Sequence, residues 1–151
     1  MYSRILVPVD GSAPSECGLR EAIRIAQATR ASLVVVNVVN EFPILMDPVA
    51  MSDYNNLLES LRRNGEEIAG KAARAVRDAG LECESMVLDA TGVSVAALIV
   101  DQVAERRCDL VVMGTHGRRG MRRLALGSDA ELVVRRCPVP VLLVKAPVRA
   151  D

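Results

Sequence analysis

Aromatic residues are almost missing from this chain of 151 residues: one Phe, two Tyr and no Trp. A core must therefore be built from Val, Leu, Ile and Ala, and modules that stack nucleobases on aromatic platforms are disfavoured. Cysteine is sparse and unpaired in pattern. Cys17, Cys83, Cys108 and Cys137 form no C-x-x-C pair and lie within or beside apolar segments. That reads as buried or near-surface thiols in a reducing compartment, and it speaks against a disulfide or metal framework. No apolar run reaches the roughly 18 residues that span a bilayer, and the opening "MYSRILVPVDGS" has no long apolar signal region, so the expectation is a cytoplasmic chain. Also missing are the Gly-Lys-Ser/Thr of the Walker loop, the G-x-G-x-x-G of dinucleotide folds and the G-x-S-x-G of the nucleophile elbow. Internal repeats and low-complexity linkers are absent too, which predicts a single domain over 1–151.

What is present alternates. Short β-branched runs occur at 4–9 (RILVPV), 32–39 (SLVVVNVV), 83–88 and 109–113 (DLVVM), with a last one, PVPVLLV, at 138–144. Between them the apolar spacing turns helical. Leu19, Ala22, Ile23 and Ala26 mark one helix, behind Ser12 as N-cap and Pro14 in the first turn. Further helices are expected over 55–79, despite Gly65 and Gly70, over 95–107, and over 128–137 with Ser128 as its cap. The stretch from 40 to 56, with two prolines, reads as a long loop or partial helix. Strands buried on both faces and separated by amphipathic helices predict an open, five-stranded parallel sheet with helices on both sides.

Net charge is zero, but residues 101–151 carry 10 basic and 6 acidic side chains, while residues 1–100 carry 9 and 13. The basic surplus gathers around one segment, MGTHGRRGMRRLALGS at 113–128, with four glycines and four arginines. In an open parallel sheet ligands bind beyond the carboxyl ends of the strands. Two loops leave such ends, Asp10-Gly11-Ser12 and the segment beginning at Gly114. Gly127-Ser128 opens a helix, where backbone N–H groups and the helix dipole favour an anion. A di- or triphosphate fits that need, with Arg118, Arg119, Arg122 and Arg123 raising the local potential. A Ser128–His116–Asp10 hydrolase triad has no support in the spacing. Met46, Met51 and Met113 read as apolar packing. Phosphoryl transfer needs a held metal and a positioned nucleophile, and neither is evident, so no catalytic residue is assigned and slow hydrolysis of a bound polyphosphate is the most that is expected.

The residues ILVPVDGS, VVVNVV, DLVVMGTHGRRG, LGS and PVPVLLV together give the chain a resemblance to the universal stress protein family over nearly its whole length. The family's pattern G-x2-G-x9-G-[ST] is met by Gly114, Gly117, Gly127 and Ser128. The resemblance implies the adenine nucleotide alpha hydrolase-like sandwich with strand order 3-2-1-4-5, and homodimers pairing through the last strand, here from Val139 to Lys145. It implies ATP as the ligand, with any Mg²⁺ held mainly by the phosphates. It puts Pro8, Val9 and Asp10 at the adenine and ribose, Val38 along the adenine, and Met113 and Gly114 under the nucleoside. His116, Gly117, Arg118, Gly127, Ser128 and Asp129 fall around the phosphates. Asp129 departs from the family, where an apolar residue or Thr is common, and a carboxylate there opposes a triphosphate unless it turns away. The implied role is a stress-response regulator or chaperone-like module. A protein of the same fold that binds other proteins and no nucleotide is the alternative.

Overall fold

A computed structural model of the chain describes residues 1–116 and 125–147. Five strands form one sheet in the order β3-β2-β1-β4-β5: β1 (Arg4–Pro8), β2 (Ser32–Val39), β3 (Cys83–Asp89), β4 (Leu110–Gly114) and β5 (Val141–Val144). Every neighbouring pair is parallel. The register is set by side-chain alternation. Ile5, Val7, Leu33, Val35, Leu110 and Val112 enter one core with Leu19, Ala22 and Ala26 of α1 (Ala13–Thr29) and Ala72 and Val76 of α4 (Tyr54–Asp78). Leu6, Val34, Val36, Val111 and Met113 enter the other, against Ala96, Ile99 and Val103 of α5 (Val95–Glu105) and Ala130 and Val133 of α6 (Ser128–Arg136). A slip of one residue would exchange the two sets, and both cores resist it. Each fully buried Val or Leu contributes about 1.5–3 kcal/mol relative to exposure.

Two strands are shorter than their apolar runs suggest. β5 begins at Val141 because the two prolines ahead of it lack N–H donors, and β1 ends at Pro8, although the Val9 N–H still donates to Val36 C=O at 2.9 Å. The expected Ser12 cap forms, its Oγ accepting from the Ser15 N–H at 3.3 Å, with proline in the first turn of α1. Two short helices, α2 (Phe42–Leu45) and α3 (Pro48–Met51), occupy the stretch read as irregular. Each starts with a proline near its N-terminus, and Asp47 caps the second.

At the opposite end of the sheet Asp109 ties the start of β4 to that of β1. Its carboxylate accepts from the Ser3 N–H at 2.8 Å, the Ser3 hydroxyl at 2.7 Å and the Arg4 N–H at 3.0 Å. Burial works against its ionisation, but these hydrogen bonds outweigh it and hold the carboxyl below its ordinary value. Beside it, burial pushes the Cys108 thiol up to about 11. Among the described residues no helix is long and apolar enough to cross a membrane.

Candidate functional site

The sheet order puts β1 beside β4 at its centre, with chain leaving them toward opposite faces. Such a reversal opens a crevice at the carboxyl ends. A cleft of about 560 Å³ lies there. Pro8, Val9 and Asp10 line it from the end of β1, and Val38 lines it from β2. Met113 and Gly114 contribute from β4, with His116 just beyond. Gly127, Ser128 and Asp129 complete that side at the start of α6. These ten of the twelve residues singled out in the sequence therefore share one cavity, and Gly117 and Arg118 lie outside the described residues.

Local geometry explains how each is held. Asp10 Oδ1 accepts from the Ser12 N–H at 2.9 Å, and the Asp10 N–H donates to Ser15 Oγ at 3.1 Å. Between them Gly11 takes φ +81°, a conformation side chains disfavour. This small knot turns the chain from β1 into α1. Thr115 locks the other loop. Its C=O accepts from the Gly127 N–H at 2.9 Å, and its N–H donates to Val144 C=O at 3.0 Å. His116 adds to the closure, with Nε2 against Ala125 C=O and Nδ1 against Thr115 Oγ1 at 2.9 Å. The two ends of the glycine and arginine segment are thus joined at the rim of the cleft.

The cap of α6 is Gly127 rather than Ser128, which is the first helical residue. Gly127 has no side chain with which to cap α6, and its extended backbone leads the chain into the first turn. Gly114 has a reason unconnected with any ligand. A Cβ there would stand 2.6 Å from Pro14 C and 2.7 Å from Pro14 O, so its bare backbone is what lets α1 close on β4.

Sequence reasoning missed the far wall. Asn37, Asn40, Asn64 and Gly65 line the cleft from β2 and α4, and Val95 and Ile99 from α5. Asn37 is buried, and its Nδ2–H donates to Val9 C=O at 2.8 Å. Its Oδ1 lies only 2.4 Å from where a Cβ on Gly65 would stand, so the helix glycine makes room for the amide. The signal was available: Asn37 is the one amide inside the otherwise aliphatic run SLVVVNVV.

The model of the universal stress protein family matches residues 1–145. The chain belongs to that family. Among curated relatives of this universal stress protein, one from Methanocaldococcus jannaschii is 34% identical over 147 residues, covering 97% of this chain and 84% of the relative. A solved universal stress protein from Lactobacillus plantarum superposes with a TM-score of 0.81 at 25% identity, covering 95% of this chain and 97% of that one. One from Archaeoglobus fulgidus, in complex with dAMP, does so at 0.67 and 24%, covering 95% and 98%. Two more structures of the fold are complexes with cAMP (TM-score 0.65, 24% identity) and, from Arabidopsis thaliana, with AMP (0.70, 16%). The chain shares the adenine nucleotide alpha hydrolase-like fold of these neighbours, its own sheet running in the order 3-2-1-4-5.

Proposed function

We propose that this universal stress protein binds an adenine nucleotide, ATP above all, in the cleft over β1 and β4, as a nucleotide-dependent regulatory or chaperone-like module of the cytoplasm. The carrying observation is convergence: the end of β1 and the N-terminus of α6 border one cavity of about 560 Å³. The donor chemistry at the start of α6 suits an anion. The leading N–H groups of α6 and the positive end of its dipole lie beside Gly127 and Ser128, and the sequence supplies Gly117 and Arg118 in the adjoining segment. Val38, Ile68 and Ile99 also line the cleft, and apolar lining suits a base. In this reading Pro8, Val9 and Asp10 meet adenine and ribose, Met113 and Gly114 underlie the nucleoside, and His116, Ser128 and Asp129 stand near the phosphates. Any Mg²⁺ is held mainly by the phosphates. The dAMP, cAMP and AMP complexes of structural neighbours support the ligand class.

Isothermal titration with ATP, ADP and AMP tests it. We expect binding by all three, and an Asp129→Asn variant that tightens ATP by about threefold or more relative to AMP, since one like charge near the γ-phosphate is worth about 0.5–1 kcal/mol in a partly exposed site. No heat with millimolar ATP removes the proposal.

The same reading pairs two copies through the last strand, from Val139 to Lys145. β5 is an edge strand with Leu142 exposed, and an unpaired apolar edge favours pairing with its own kind. Sedimentation should show a dimer at micromolar concentration that Leu142→Lys converts to monomer. A monomeric parent protein rules the assembly out.

A further inference from the structure

Between β2 and α4 the chain carries an apolar shelf. Phe42 and Leu45 of α2, Met46 beyond it, and Val49 and Met51 of α3 are all exposed, from 44% at Met51 to 80% at Val49. The shelf stands on a built platform. Ile44 and Leu58 are buried beneath it with Val39. The Tyr54 hydroxyl donates to the buried Glu41 carboxylate, a bond that raises the phenol's pKa, and Arg62 grips Asp89 through two nitrogens. Five large apolar side chains presented together on so short a segment mark an interaction surface.

Charge says what kind of partner fits. From Arg30 to Arg62 the chain has no basic residue between, and four acidic ones: Glu41, Asp47, Asp53 and Glu59. Asp47, between Met46 and Val49 in the chain, and Asp53, two residues beyond Met51, are exposed. The arginines on the next turn of α4 are already engaged, Arg62 with Asp89 and Arg63 with Glu59. The segment therefore combines exposed apolar side chains with exposed carboxylates and no free arginine from its own stretch. A second copy pairing shelf to shelf would set Asp47 and Asp53 against their own kind, and anionic lipid headgroups would meet the same repulsion.

We infer that the shelf docks a cationic amphipathic helix of a partner protein, its apolar face on Phe42, Met46 and Val49 and its Lys or Arg residues over Asp47 and Asp53. Two adaptable methionines suit such a surface. None of these five apolar side chains lines the cleft, although Pro43 of α2 does.

Two designed helical peptides with one Leu face, differing only in Lys or Glu on the polar face, are titrated against the full chain by fluorescence anisotropy. The Lys peptide should bind about tenfold tighter or more than the Glu peptide. Asp47→Asn/Asp53→Asn should weaken it about three- to tenfold, the worth of two exposed ion pairs, while Asn keeps the cap of α3. Met46→Ser/Val49→Ser should weaken it about tenfold with the urea midpoint unchanged, since both side chains are exposed. Equal binding of the two peptides, or unaltered binding by the serine variant, overturns the inference. So does self-association of the parent chain, or binding to anionic phosphatidylglycerol vesicles, that the serine variant abolishes, since a second copy or a membrane would then be the occupant.

Discussion

Gly114→Val lowers stability by about 3 kcal/mol, and the melting midpoint falls by about 10 °C. The cause is steric and local. The first atom of any side chain at 114 would stand 2.6 Å from one backbone atom of Pro14 and 2.7 Å from another, and backbone at a helix start cannot swing aside as a flexible side chain can. α1 must lift from the sheet, and it carries Leu19, Ala22 and Ala26 of one core with it. Gly18 faces the same junction, a Cβ there lying 3.1 Å from Gly114 N, so relief cannot come from sliding the helix along β4. Gly70→Ala is the matched control. Nothing lies within 4 Å of its added Cβ, so the change should stabilise by about 0.5–1 kcal/mol through helix propensity. Calorimetry on the pair decides it: a valine variant that melts with the parent would show that α1 and β4 do not touch as described.

The second large effect belongs to Asn37→Asp. The asparagine donates to Val9 C=O from a buried position, and an ionised carboxylate would replace that donor with an acceptor facing an acceptor. At pH 7 we expect a loss of about 3 kcal/mol relative to the parent. The protonated acid can still donate to Val9, so the folded state favours the proton and raises the variant's pKa. The sign follows. The deficit is small below about pH 3.9, where the unfolded chain is protonated too, and it grows by about 1.4 kcal/mol per pH unit as pH rises toward the folded value. Urea titrations of parent and variant at pH 5 and pH 7 should therefore diverge more at pH 7. A pH-independent gap would mean that the amide bond to Val9 does not matter. Asn37→Asp should also weaken nucleotide binding, because Val9 and Asp10 line the cleft.

Much of this architecture was readable from residue order. Burial on both faces leaves strands such as LVV and LVVM almost wholly aliphatic, and that signature locates β1, β2 and β4 without help. The convergence of Asp10 with Gly127 and Ser128 was readable too, because the ends of parallel strands are where ligands go. Less visible was the reason for individual residues. Gly114 looked like part of a phosphate cradle, yet its nearest need is room for Pro14, and spacing alone cannot distinguish close approach to a ligand from close approach to a helix. Ser128 looked like a cap because serine favours that place, but Gly127 takes it and leaves Ser128 inside the first turn. The helices α2 and α3 escaped notice since four residues are too few to show a 3.6-residue period. The wall built by Asn37, Asn40 and Asn64 has no motif, because its members meet only when α4 packs across β2.

The short bond from Gly127 to Thr115 has an evolutionary corollary. By fastening the two roots of the intervening segment, it isolates the sheet from whatever happens between them. Insertions there should be cheap, with a doubled length adding only about 0.6 kcal/mol of closure entropy. Variation in that segment, in length and in charge, should therefore leave the sheet and its two cores unchanged.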